Sequence, residues 1–536
     1  MQASRFKRMV FRGRLGVCRS LGWLLAGTVL AGWARADVRL SGVFGDRMVL
    51  QRDVEVPVRG WAEPGETVTV QFGGQTIRAT AGSDGVWIAR LAPMKATATG
   101  QDLVVSGSKT VRLSDVLVGD VWLCSGQSNM GTGFDRRPPP LDPGPMDLPQ
   151  IRYGAVSNFA DIAPRADGVV FWVVSGPNTV PRYSAFPWFF GQRLHQEAKV
   201  PIGILRASWG GATIENWMSP DGLRQVDELK PLYRDYEIRL KEYEDSLPRN
   251  TKLLEDWVQA AALARTTGTI IPPIPYINPH PVNAPPGKTG YFCMYYGMID
   301  YLTRFPIKGV AWYQGESNGD DGPSYTHKLR ALIGGWRQAW NQPELPFYFV
   351  QLPNLGGACG LPEQPLKGWS LLREAQARAL AIPHTGMAVT IDCGEEDLHP
   401  RNKFDMARRL AAVALANTYG LKVEHSGPVF KGADFKDGKV TLHFDHVGAG
   451  LMVGKKLGTE PAAEVPHGQL QEFAIAGSDK RFYSADAVIA ADTVVVSSDQ
   501  VPQPAAVRYA CTFNPAGNKL YGRNGLPAAP FRTDNW

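Results

Sequence analysis

Net charge, cysteine and long apolar runs are all scarce in this chain of 536 residues, and each scarcity excludes something. The formal charge is +6, but residues 1–36 hold seven Lys or Arg and no Asp or Glu, so the remainder carries −1. A chain so balanced has no electrostatic footprint for nucleic acid or anionic lipid. Beyond residue 36 the cysteines are Cys124, Cys293, Cys359, Cys393 and Cys511, an odd set without metal-ligand spacing. That excludes a disulfide scaffold and implies one bridge or none. Cys124 and Cys393 sit in apolar runs, where a thiol packs as a small hydrophobe. Past the first 36 residues no apolar run is long enough to cross a bilayer.

What is present begins with a leader. Arg5, Lys7, Arg8, Arg12, Arg14 and Arg19 precede the apolar segment Leu21 to Ala31, and Ala34-Arg35-Ala36 offers a small-x-small cleavage site. This is the pattern of a signal peptide spanning 1–36, too short in its apolar part to serve as an anchor. The expected destination is outside the cell or in a periplasm.

The remaining 500 or so residues exceed a single core and call for two or three domains. Residues 37–115 alternate apolar and polar positions between turns such as Glu63-Pro64-Gly65 and Ser83-Asp84-Gly85, which predicts a β-sandwich-like domain. From 116 to 420 strands alternate with helices. Strands are expected at Val121–Cys124, Ile202–Ala207, Gly309–Tyr313, Phe347–Leu352 and Met387–Ile391. Helices are expected at Phe189–Ala198, Tyr325–Trp340, Leu371–Leu380 and Phe404–Tyr419. The fold class is therefore α/β, with a parallel sheet covered on both faces. An insertion near 218–290 contains a charge-rich helical stretch, Leu223 to Leu247, and a proline-rich loop through Pro285-Pro286. Residues 421–536 return to short strands, among them Lys439–Phe444, Ala487–Ile489 and Thr493–Ser497, with no helical pattern.

Three clusters fall where strands end. Gly126-Gln127-Ser128-Asn129-Met130 follows Val121–Cys124; Gln314-Gly315-Glu316-Ser317-Asn318 follows Gly309–Tyr313; Asp397-Leu398-His399-Pro400 follows Met387–Ile391. A hydroxyl, an amide-rich turn and an acid–histidine pair at the carboxyl edge of a sheet are the parts of a serine esterase. Ser128 is the candidate nucleophile, which needs an imidazole to take its proton; His399 is that candidate. The Ser128 N–H, a Gly210 or Gly211 N–H and the Gln314 side-chain amide are candidate donors to an oxyanion. Glu316 is expected to brace its turn, with Asn318 as a further support. Glu316 with Asp397 as the paired carboxylates of a glycoside hydrolase is the weaker reading, because it leaves Ser128 and His399 without work. Nothing calls for a metal or a cofactor.

These clusters also carry a resemblance. Together with Met48-Val49-Leu50-Gln51-Arg52, Trp209-Gly210-Gly211-Ala212, Arg373-Glu374-Ala375-Gln376, Gly525-Leu526-Pro527 and Pro530-Phe531-Arg532-Thr533-Asp534, the chain resembles the sialate O-acetylesterase branch of the SGNH (GDSL-type) hydrolases. The resemblance spans nearly everything after the leader. It implies a flavodoxin-like SGNH domain with flanking β domains. The implied reaction is hydrolysis of acetyl esters on a sugar through an acetyl-enzyme. SGNH enzymes usually place the acid three residues before the histidine, which is Glu396 here; this branch places it two before, which is Asp397 and is preferred. Many SGNH enzymes carry asparagine where this chain has Gln314. The implied substrate is an O-acetylated sialic acid, with acetylated xylan or another decorated polysaccharide as the alternative. Arg373 and Arg532 are candidates to meet a sialate carboxylate. A non-catalytic glycan-binding protein is the rival from another class.

Overall fold

The computed structural model describes residues 37–135, 141–277, 280, 290–356 and 365–536. The expected leader, the loop through Pro285-Pro286, and Cys359 lie outside them. Residues 37–536 form one compact unit.

The architecture is mixed α/β, with a central mixed sheet and additional β-sheet regions at both ends of the chain. The organising element is a 17-residue strand, β1 (Thr110–Gly126). Up to residue 115 its burial alternates; from Val116 to Gly126 every residue is buried. The first half pairs antiparallel with Thr97–Ser106 in the N-terminal β region, while the second half pairs parallel on both edges. One-sided exposure demands alternation, whereas a strand covered on both faces reads as a continuous apolar run. The boundary expected at 115/116 thus lies inside one strand, where the covering of the sheet changes.

The sheet continues with β2 (Ile151–Val156), β3 (Val170–Val174), β4 (Ile202–Ser208), β5 (Gly309–Tyr313), β6 (Phe347–Val350) and β7 (Thr385–Ala388). Their order is β3-β2-β4-β1-β5-β6-β7. All neighbours from β2 to β7 are parallel; β3 runs antiparallel at the edge. The β2–β3 pair has no counterpart in the sequence-based expectation. Without it, β4-β1-β5-β6-β7 is the 2-1-3-4-5 order of a doubly wound sheet, whose switch point, between β1 and β5, is where such sheets bind ligands.

Helices α2 (Ala185–Ala198) and α6 (Lys403–Asn417) pack together, and Trp122 of β1 meets Phe190 of α2 edge-on. Helices α4 (Ser324–Ala339) and α5 (Trp369–Arg378) also pack together; Trp312 of β5 meets Trp336 of α4. The insertion supplies a 38-residue helix, α3 (Lys230–Thr267), of which only Asn250 and Ala264 are buried. It begins later than Leu223 and runs through Pro248 rather than stopping before it.

Two rivets tie the β regions to this sheet. Val49–Gln51 pairs parallel with Leu117–Gly119, and Arg52 grips the buried Asp120 with two bonds of 2.9 Å. At the other end Arg373 is wholly buried. It donates to four carbonyls: Leu352 and Pro353 on its own side, Thr512 and Phe513 in the C-terminal region. The expectation of a carboxylate-binding Arg373 is therefore corrected: its donors are spent on backbone. Arg532 is likewise engaged, by Glu374 and Asp534 at 3.0 Å each.

Candidate active site

The carboxyl ends of the three central strands finish level. Gly126 of β1 is opposite Ser208 of β4 on one side and Tyr313 of β5 on the other. Gly126 has φ 138°, and a Cβ there would stand 2.0 Å from the Tyr313 carbonyl oxygen, so only glycine permits the turn. Gln127 N–H then donates to Tyr313 O at 3.0 Å, and Trp209 N–H to Gly126 O at 3.1 Å. Ser128 follows as the first residue of the short helix α1 (Ser128–Gly131), partly exposed where its neighbours are buried. Gly210 and Gly211 are exposed, and a Cβ on Gly210 would lie 3.6 Å from Ser128 Cβ.

His399 arrives from the segment after β7. Its Nε2 is 2.8 Å from Ser128 Oγ. Its Nδ1 is 3.4 Å from Asp397 Oδ1, and the same carboxylate oxygen accepts the His399 backbone N–H at 2.6 Å. Of the acids around His399, Glu395 accepts from Arg401, and Asp392 is held by Arg409 at 2.6 and 2.8 Å and by Tyr521 at 3.0 Å. Burial pushes the Asp392 carboxyl up, but Arg409 and Tyr521 outweigh it and keep its pKa below the ordinary value. Glu396 is exposed, with its backbone against Gly356. Asp397 is thus the acid set beside the imidazole.

The Gln314 side chain does not face the serine. It is fully buried; its Nε2 donates to Ala212 O at 3.2 Å and Asn318 Oδ1 at 2.7 Å, and Tyr325 OH donates to its Oε1 at 2.6 Å. Both amide hydrogens are committed, so the expectation of an oxyanion donor there is corrected to a brace. Asn318 is the hub of this brace. Its Oδ1 also accepts Ile214 N–H at 2.9 Å, and its Nδ2 donates to Glu215 at 3.1 Å and Asp321 at 2.8 Å. Lys328 neutralises both acids. The network joins the Gly210–Ala212 loop to the turn after β5.

A second network was not foreseen from the sequence. Asn129, the residue after Ser128, is fully buried. Its Nδ2 donates to Glu316 Oε1 and, at 3.0 Å, to Leu398 O; its Oδ1 accepts from Lys403 Nζ at 2.8 Å. Lys403, 1% exposed, also donates to Pro400 O. The carbonyls immediately before and after His399 are therefore both tied to the residue beside Ser128. Burial raises the pKa of Glu316, while Asn129 and Lys403 pull it back. Lys403 opens α6, where the helix dipole disfavours a cation; that misplacement is the signal the sequence offered.

Among the described residues no group of three or more His, Cys, Asp or Glu is arranged to hold a metal, and no helix is long and apolar enough to cross a membrane. The four described cysteines, Cys124, Cys293, Cys393 and Cys511, are free.

An α/β sheet with such a site at its switch point belongs to a hydrolase, and comparison with known proteins narrows the class to the carboxylic ester hydrolases. A family profile described as carbohydrate esterase, sialic acid-specific acetylesterase matches residues 287–416, which include Gln314, Glu316 and His399. Sialate O-acetylesterase of Rattus norvegicus is 29% identical over 432 residues, covering 73% of this chain and 76% of that protein. That of Homo sapiens is 27% identical over 435 residues, covering 73% of each. The crystal structure of a carbohydrate acetylesterase from Xanthomonas citri superposes with a TM-score of 0.75 at 34% identity, over 93% of this chain and 100% of that one. The chain belongs to the carbohydrate acetylesterases, and within them it is similar to the sialate O-acetylesterases.

Proposed function

We propose that the protein is an exported carbohydrate O-acetylesterase of SGNH type, using Ser128 as nucleophile and His399 as general base. The observation that carries this reading is the 2.8 Å separation of Ser128 Oγ and His399 Nε2 at the switch point of the sheet. Ser128 O–H donates to Nε2; as Oγ adds to the acetyl carbonyl its proton passes to the imidazole. Asp397 beside Nδ1 favours the tautomer protonated there and stabilises the imidazolium. The oxyanion is received by the Ser128 N–H, which opens a helix and has no partner in a preceding turn, and by the exposed Gly210 or Gly211 N–H. His399 returns the proton to the departing sugar oxygen, leaving Ser128 acetylated. Water, deprotonated by His399, then adds to the acetyl carbonyl; the C–O bond to Ser128 breaks, acetate leaves, and the serine recovers its proton.

The names of the family and its relatives favour an O-acetylated sialic acid as substrate; acetylated xylan or another decorated polysaccharide is the alternative. The basic start, the apolar run Leu21 to Ala31 and Ala34-Arg35-Ala36 support export and cleavage after residue 36. Acetate release from acetylated sialic acid and acetylated xylan, measured side by side with wild-type and Ser128→Ala protein, tests the reading. Release from one substrate that disappears in the variant is expected; undiminished release by Ser128→Ala would refute it.

A further inference from the structure

Against the Gly394–Asn402 segment lies a polar cavity of about 610 Å³. That volume is within the roughly 300–1,000 Å³ of small-molecule sites. One wall is the segment that carries His399; the other belongs to the C-terminal β region through Lys455, Asn514 and Lys519. Arg401 lines both this cavity and the small space beside His399, so the two are neighbours.

Lys519 is the informative residue. It is 7% exposed, its ammonium donates to Gly517 O at 3.1 Å, and no carboxylate pairs with it among the described residues. Burial lowers its pKa, and the pull of Asp392 and Glu472 does not restore it. Buried charges are ordinarily paired, and an unpaired ammonium on a polar cavity wall is suited to an anionic guest. Of the acids lining the cavity, Asp392 is committed to Arg409 and Glu395 to Arg401, which leaves Glu396. Lys456 is spent on Asp405 at 2.6 Å, whereas Lys455, beside it, is exposed. Glu396 stands exposed on the rim, and Asn354 donates to Asn514 at 3.0 Å.

We propose that this cavity binds a carboxylate-bearing sugar residue next to the one whose acetyl group meets Ser128. Lys519 and Lys455 take the carboxylate, while Glu396 and the Asn354–Asn514 pair meet the hydroxyls. The C-terminal β region then serves as half of a substrate cleft. The inference rests on the esterase reading and goes beyond it by giving the glycan a direction and a charge.

The test uses D-glucuronate and D-glucose as probes, titrated calorimetrically into Ser128→Ala protein at low salt. Glucuronate should bind at least tenfold more tightly than glucose, and Lys519→Met should erase that preference at an unchanged melting temperature. Equal binding of the two sugars, or a preference that survives Lys519→Met, overturns the proposal. Lys519→Gln serves if the methionine variant does not fold, and absence of the preference in the parent protein decides against it regardless. Hydrolysis of p-nitrophenyl acetate by the same Ser128→Ala protein separates the two claims: its persistence would sink the esterase reading, whereas its loss without a glucuronate preference sinks only the cavity.

Discussion

Replacing Lys403 by methionine is the sharpest perturbation of the catalytic geometry that leaves Ser128, His399 and Asp397 in place. Lys403 ties Pro400 O and Asn129 Oδ1 together, and Asn129 in turn ties Leu398 O, so His399 is fixed from both sides. By contrast, Asp397 approaches Nδ1 only to 3.4 Å, a loose contact for a hydrogen bond. Methionine fills the volume but donates nothing, leaving two buried acceptors short of a partner at roughly 1–3 kcal/mol each. It also removes the cation that offsets the burial of Glu316, whose pKa must rise further. If the loop relaxes by about 1 Å, the Ser128–His399 contact is lost and turnover should fall about 10²-fold. KM should hold, because Lys403 is 1% exposed and its donors are spent on Asn129 and Pro400. Steady-state kinetics on p-nitrophenyl acetate, with circular dichroism to confirm folding, reads both. A folded Lys403→Met protein with kcat within about threefold of wild type would refute the idea that this clamp sets the pair.

Further predictions follow from the same contacts. Asp397→Asn should lower kcat by about 10²-fold or more while Glu396→Gln stays near wild type, both on p-nitrophenyl acetate, which is too small to reach the cavity Glu396 lines; the opposite ranking would reassign the acid. Gly126→Ala must force a Cβ against Tyr313 O, so a lowered melting temperature together with lost activity is expected in a thermal scan and ester assay. Glu316 holds its proton to higher pH in the folded chain than the ordinary 4.5. The folded state therefore binds more protons than the unfolded one as pH rises past 4.5. Its contribution is favourable below that value and is lost as pH climbs through the raised pKa. Glu316→Gln should flatten this decline in urea unfolding measured across the same pH range, and an unchanged slope would contradict it.

Much of the site was legible because its parts obey local rules. The run Val121–Cys124 before a glycine announced a buried strand and a tight turn, and the His399 block followed a second strand by the same logic. What escaped depends on contacts distant in sequence. Gln314 has the right chemistry for an oxyanion donor, but the direction of its amide is set by Ala212 and Asn318, which a motif does not reveal. Arg373 looks like a ligand-binding cation until the C-terminal carbonyls that surround it are known. Asn129 lies inside the Gly126–Met130 cluster, yet its role needs Lys403, 274 residues away. Pro248 reads as a helix stop, but in an exposed helix its missing N–H faces solvent competition rather than a core, and α3 runs through it. The β2–β3 pair is an antiparallel edge pair outside the three clusters, so no motif marks it.

The central claim is that Ser128 is a nucleophile made reactive by His399. A fluorophosphonate probe followed by peptide mapping tests it most directly, because the probe reacts with a serine only when its proton has somewhere to go. One modified residue, Ser128, is expected in the wild-type protein and essentially none in a folded His399→Ala variant. Modification at another serine, or labelling of Ser128 that persists without His399, would contradict it.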